Sequence, residues 1–173
     1  MVVKAARWSG VTEETMHILI APDSFKESLS AAGIAEHIRA GIAAADPTAT
    51  TELLPVSDGG EGFVSAISAA LDARLVEVEA VDALGRPARA VIAVAGQVAV
   101  LDAASVVGLD LIAPADRNIR ASDTTGLGML IRAALDEGAR ELIIGLGGTA
   151  TNDGGAGMLA DLGAVFTLSL IHI

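Results

Sequence analysis

"GLGGTATNDGG", residues 145–155, follows the apolar run "RELIIG" (140–145) and leads into "AGMLADLG" (156–163). A short apolar run, a glycine-rich turn and an amphipathic continuation follow one another as strand, loop and helix do in a parallel α/β sheet. Five of the eleven residues are glycine and none is basic. Such a turn presents backbone N–H groups to an anion at a helix N-terminus. The compensating positive charge must then come from elsewhere in the chain.

The same order occurs upstream. "HILIAP" (17–22) reads as a buried strand, and "SLSAAGIAEHIRAGIAAADP" (28–47) places Ile34, Ile38, Ile42 and Ala45 near helical spacing before Asp46-Pro47 stops it. "TELLPV" (51–56) is a second strand and "DGGEGFVSAISAALD" (58–72) a second helix, with Phe63, Ile67 and Leu71 along one stripe. Three β-rich runs, 74–82, 86–96 and 97–104, then follow with only "ALG" and "AGQ" turns between them. Runs without an intervening helix predict an antiparallel excursion or small lobe. From Ser122 the alternation resumes: helix over 124–138 stopped by Gly138, strand over 140–145, helix over 154–163, and "AVF" (164–166) opening another strand. "TLSLIHI" (167–173) is off this pattern, which suggests a truncated or mis-joined chain.

Composition narrows the class. The chain has 173 residues, 52% hydrophobic, with 19 glycines and only 2% aromatics, which fits an α/β core packed by alanine and valine. No apolar run reaches bilayer-spanning length, so a soluble protein without membrane association is expected. A net charge of −11 argues against nucleic-acid binding. Without cysteine there can be no disulfide, thiolate zinc site or cysteine nucleophile, and a cytoplasmic protein fits. The leader 1–16 lacks the apolar core of a secretory signal and reads as a mobile extension.

Ligands of open parallel sheets bind beyond the carboxyl ends of strands. Three loops meet that description, "DSFKES", "SDGGEG" and the glycine run, contributing Asp23, Asp58 and Asp153. If the strands are parallel, all three face one cleft. The only lysines are Lys4, in the leader, and Lys26, so Lys26 is the candidate cation for an anion shared with the glycine amides. A solvated lysine in a first helical turn is the alternative. Asp58, with Glu61 three residues on, reads either as a capping box or as a magnesium ligand or general base. Asn152 and Asp153 have the same two readings, and the glycines could simply let a helix pack on the sheet. "GLGGTA" fits G-x-G-x-x-A, but the acid expected about 20 residues on is missing, which weakens an NAD-dependent oxidoreductase. No P-loop motif occurs, and the three histidines suggest no metal or nucleophile site.

Taken together, "APDSFKESLSA" (21–31), "PVSDGGEG" (55–62) and "GLGGTATNDGGAGML" (145–159) resemble the hallmark motifs of the bacterial glycerate 2-kinase family. The resemblance runs from about His17 to Phe166. It implies ATP-dependent phosphorylation of D-glycerate to 2-phosphoglycerate with Mg²⁺. It also implies a Rossmann-like parallel sheet with helices on both faces plus a smaller β-rich lobe, with a homo-oligomer compatible. On this expectation the α/β domain covers 17–80 and 117–166, 81–116 is a β-rich excursion or small lobe, and 167–173 is an off-pattern tail. Matched motif by motif, the family's site falls on Asp23, Ser24, Lys26 and Ser28. In the second loop it falls on Asp58, Gly59, Gly60 and Glu61, and in the third on Gly147, Gly148, Thr149, Asn152, Asp153, Gly154 and Gly155. Of these, Asp23, Lys26, Asp58 and Asp153 are the expected catalytic residues, with Asp58 and Asp153 the metal ligands. The sequence departs from the family at Phe63, usually threonine, and at Asp102, usually glutamate. Family members are considerably longer, so the chain reads as an N-terminal portion, inactive alone. A non-catalytic small-anion-binding module is the rival reading.

Overall fold

The computed structural model describes residues 15–25, 28–60 and 62–167. Lys26, Glu61 and the tail from 168 onward lie outside the described residues, as do positions 1–14 of the leader. The described chain forms two compact units divided between Pro55 and Val56.

The first unit is a β–α–β element: β1 (His17–Ile20), α1 (Ala31–Ala45) and β2 (Thr50–Leu53). The strands pair in parallel from His17 opposite Thr50 to Ile20 opposite Leu53. Ser30 starts α1 because its hydroxyl accepts the Gly33 N–H at 3.2 Å, satisfying a donor that has no partner within the helix. Ile34 and Ala35 are buried on its apolar stripe, while Ile38 is exposed. The helix ends at Asp46, as the sequence predicts. There the Asp46 carboxylate accepts the Thr48 N–H at 3.0 Å and hydroxyl at 2.7 Å, which turns the chain into β2.

The second unit is built on one four-stranded sheet. Its strands are β3 (Arg74–Val81), β4 (Pro87–Ala95), β5 (Val98–Asp102) and β6 (Glu141–Gly145), in that order across the sheet. The first two pairings are antiparallel, and β5–β6 is parallel. Strand alternation sends successive residues to opposite faces. Ile92, Val94, Ala99 and Leu101 therefore enter one core, and Ala93 and Val100 the other. Helix α2 (Phe63–Leu71) covers the second face through Phe63, Val64 and Ile67. The first face is covered by α3 (Ala104–Val107) and α4 (Thr125–Asp136), where Leu130 and Val106 are fully buried. Burying side chains of this size contributes roughly 1.5–3 kcal/mol each. Helices thus lie on both faces of the sheet, as the sequence leads one to expect.

Two details differ from the sequence reading. The β-rich stretch 81–116 is not a lobe apart, because β5 pairs with β4 on one side and with β6 on the other. Hairpin strands and crossover strand therefore share one sheet and the cores on both its faces. Residues 164–166 form no strand; Val165 is 86% and Phe166 60% exposed. Among the described residues nothing offers them a ladder, and a strand without a pairing partner has no hydrogen bonds to hold it.

The final helix, α5 (Ala156–Asp161), lies directly against α4. A β-carbon on Gly128 would come within 2.8 Å of the Asp161 β-carbon and the Met158 carbonyl, and one on Gly157 within 2.7 Å of the Thr125 nitrogen. Only glycine permits this approach. The Arg132–Asp161 ion pair at 2.7 Å closes the far end of the contact.

Candidate functional site

The glycine run leaves β6 where Gly145 stands opposite Asp102, the last residue of β5. Its backbone is then held on two sides. On one side the Gly147 N–H donates to the Gly59 carbonyl at 2.9 Å. On the other, the Leu109 N–H donates to the Gly148 carbonyl at 2.9 Å and the Ala150 N–H to the Val107 carbonyl at 2.8 Å. The approach to the second glycine loop is as close as backbones allow. A β-carbon on Gly147 would lie 2.7 Å from the Gly60 nitrogen, and one on Gly145 2.5 Å from the Gly59 carbonyl oxygen. The structure therefore brings together Asp58, Gly59 and Gly60 with Gly147 and Gly148. Among the described residues, no hydrogen bond of good geometry is donated by the Gly148 and Thr149 N–H groups.

Asp58 does not cap α2. The residue before that helix is Gly62, with no side-chain cap. Asp58 instead accepts the Gly60 N–H on Oδ1 at 3.0 Å, folding its own loop into an Asx-turn. The capping-box alternative for Asp58 therefore falls. Its Oδ2 has no hydrogen-bond partner among the described residues.

Asp153 has no such freedom. Oδ2 accepts the Thr124 N–H at 3.0 Å, the Thr124 hydroxyl at 2.7 Å and the Gly157 N–H at 2.9 Å, while Oδ1 accepts the Gly155 N–H at 3.2 Å. Burial pushes this carboxyl up, but the hydrogen bonds from Gly157, Thr124 and Gly155 outweigh it and the net shift is downward. Four donors thus hold this carboxylate in place. Its visible work is to tie the start of α4 to the start of α5. Asn152 and Gly154 are exposed beside it. Asp23 and Ser24 follow β1 in the first unit, where Asp23 accepts the Ser24 N–H at 2.6 Å, and Ser28 lies before α1. No group of three acidic or histidine side chains able to hold a metal occurs among the described residues.

A comparison with known protein families decides the chain's membership, with residues 18–169 matching the glycerate kinase family. The chain belongs to the glycerate kinase family. It is 49% identical over 150 residues to a glycerate kinase of Bacillus subtilis (strain 168), covering 86% of this chain and 39% of that protein. It is 42% identical over 151 residues to the glycerate 2-kinase of Escherichia coli (strain K12), covering 86% of this chain and 40% of that one. A crystal structure from Salmonella typhimurium LT2, of a chain assigned as glycerate kinase 2, superposes with a TM-score of 0.71 at 45% identity. That match covers 87% of this chain and 41% of the other. The chain thus spans about two-fifths of the length of the glycerate kinases it matches. No helix among its described residues is long and apolar enough to cross a membrane.

Within this member of the glycerate kinase family, Asp102, the position where the sequence departs from the family's usual glutamate, lies beside the glycine run. Only 6% exposed, it ends β5 beside Gly145 and accepts the Ser105 N–H at 2.7 Å. Burial pushes its carboxyl up, against the opposing hydrogen bonds from Ser105. The signal in the sequence was an acid closing the apolar run "VAVL" at a strand's carboxyl end. A carboxyl raised in the folded state is penalised for ionising there. That penalty is absent below the ordinary Asp pKa of about 3.9. It grows as pH rises above that value and persists once the folded group has ionised. Asp102→Asn should therefore raise Tm at pH 7, with the gain vanishing below about pH 4. Equal melting temperatures at pH 7 would show that the buried charge is fully compensated.

Proposed function

We propose that this chain carries part of the active site of an ATP-dependent kinase that phosphorylates D-glycerate to 2-phosphoglycerate with Mg²⁺. The observation that carries the reading is the junction of Asp58-Gly59-Gly60 with Gly147-Gly148 at the carboxyl edge of β5 and β6, in a chain of the glycerate kinase family. Phosphoryl transfer needs little covalent chemistry from the protein; positioning and charge neutralisation dominate. In this reading the N–H groups of Gly148 and Thr149 hold phosphate oxygens. Asp58, with Oδ2 available, would hold Mg²⁺, which when bound neutralises phosphate charge. In the same reading Asp102, the buried carboxyl that ends β5 beside Gly145, receives the hydroxyl proton.

The test is glycerate-dependent ADP release by a longer protein that contains this sequence in frame. Asp58→Asn in that protein is expected to lower kcat by about 100-fold, as loss of correct placement does, with little change in Tm. ADP release that does not respond to D-glycerate would overturn the assignment. Because this chain covers only 39% of its Bacillus relative, we further propose that it turns over little by itself.

A further inference from the structure

A cavity of about 330 Å³ opens on the far side of the glycine run. Arg117, Asn118 and Ser122 line one side and Thr149 and Thr151 the other, over an apolar floor that includes Ile112. Arg117, like Arg120 and Arg140, forms no ion pair among the described residues, in a chain of net charge −11. Arg39, Arg74, Arg86, Arg89 and Arg132 each pair with a carboxylate. Arg117 has no acidic partner among the described residues. Backbone carbonyls orient it instead: Nε donates to Ile112 at 3.2 Å and Nη2 to Leu109 at 3.4 Å. Nη1 has no hydrogen-bond partner among the described residues.

The remaining polar groups divide by role. The Thr149 and Thr151 hydroxyls have no partner among the described residues and can donate to an anion. The buried Ser122 hydroxyl already donates to the Asn118 carbonyl at 2.8 Å, so its oxygen is left to accept. A fixed cation with nearby donors suits a carboxylate, and an accepting hydroxyl oxygen suits a ligand O–H. The volume lies at the low end of the roughly 300–1,000 Å³ of ligand pockets, which favours a small acid over a nucleotide.

We propose that this pocket takes the small hydroxy acid, with Arg117 holding its carboxylate and Thr149 linking the pocket to the glycine junction. The assignment rests on the kinase reading above and locates its acceptor. It places the missing positive charge at the glycine run itself, independently of Lys26.

Backbone-amide NMR titrations of this chain with D-glycerate, and separately with inorganic phosphate, test it. D-glycerate should give saturable shifts at Arg117, Asn118, Thr149 and Thr151, and phosphate should not reproduce them. Arg117→Gln should weaken glycerate binding by about 10-fold or more, the range of a charge-assisted hydrogen bond, and Arg117→Lys should recover only part. Arg117 also holds two carbonyls, so Thr151→Val serves as a second variant that leaves them untouched; it should weaken binding by a few-fold with Tm unchanged. Glycerate shifts confined to Gly59 and Gly60, equal shifts with phosphate, or no saturable shift would each overturn the pocket assignment. The kinase reading falls on a different result, the absence of glycerate-dependent ADP release.

Discussion

Gly147→Ala is expected to lower Tm by roughly 6–12 °C, a loss of about 3 kcal/mol, the upper part of the range for overpacking a fixed site. The added β-carbon would meet the Gly60 nitrogen at 2.7 Å, the Gly60 α-carbon at 2.8 Å and the Gly59 carbonyl carbon at 3.1 Å. All three are backbone atoms, so no flexible side chain can swing away. The loops must separate, and the Gly147-to-Gly59 hydrogen bond is lost with the contact. Gly147 does not have a left-handed backbone, so contact alone sets the cost. Thermal unfolding followed by circular dichroism measures it. A change of Tm within experimental scatter would mean that the loops do not cross as described. In an active longer protein the same substitution should abolish most turnover on the proposed reading, since the opened junction displaces the Gly148 and Thr149 N–H groups.

Asp153→Asn should cost about 2–3 kcal/mol near neutral pH, because hydrogen bonds to a charged acceptor are the strong ones. The amide keeps one oxygen for some of the Thr124 and Gly157 donors. Its nitrogen then faces the Gly155 N–H, or the reverse if it flips, and donor meets donor either way. The Met158 N–H is implicated as well, since it donates to the Thr124 hydroxyl that donates to Asp153. The pH dependence has a definite sign. The folded carboxyl is held below its ordinary value, so its contribution is complete above about pH 4 and is lost as pH falls through the folded pKa. The Tm gap between parent and variant should therefore narrow on acidification. A gap that stays constant from neutral pH to pH 2 would deny the carboxylate this role. Asp102→Asn is expected to act in the opposite direction over the same pH range.

Most elements were legible because their signals are local. Apolar spacing and Asp46-Pro47 mark α1, and Gly138, with its left-handed backbone, follows α4 as the stop the sequence suggests. The glycine run was legible as a strand-to-helix loop, though not its reason for glycine. That reason is a second loop some 86 residues away pressing on the same backbone, and nothing local to either stretch records it. Asp58 resembled a cap because Glu61 follows at the right interval. The chain instead enters α2 through Gly62, and the carboxylate serves the turn before it. The β-rich middle looked separable because no helix interrupts it. Whether β5 also pairs with a later strand depends on tertiary contacts. Arg117 escaped notice for the same reason, since an arginine between two helices carries no periodic signal.

The Asp82 turn bears on the order in which the second unit forms. The buried Asp82 carboxylate accepts the Leu84 N–H at 2.8 Å, the Arg86 N–H at 2.9 Å and the Arg86 Nε–H at 2.6 Å, closing β3 onto β4 within five residues. Closing so short a loop loses little chain entropy, and hairpins form within microseconds. Pairing β5 with β6 must wait for the crossover through α3 and α4, and the meeting of Gly59 with Gly147 spans further still. The hairpin is thus the natural nucleus, and the glycine junction belongs to the late side of the folding barrier. On the ribosome the unit can hold a formed hairpin well before residue 147 emerges, while the glycine junction waits for nearly the whole described chain.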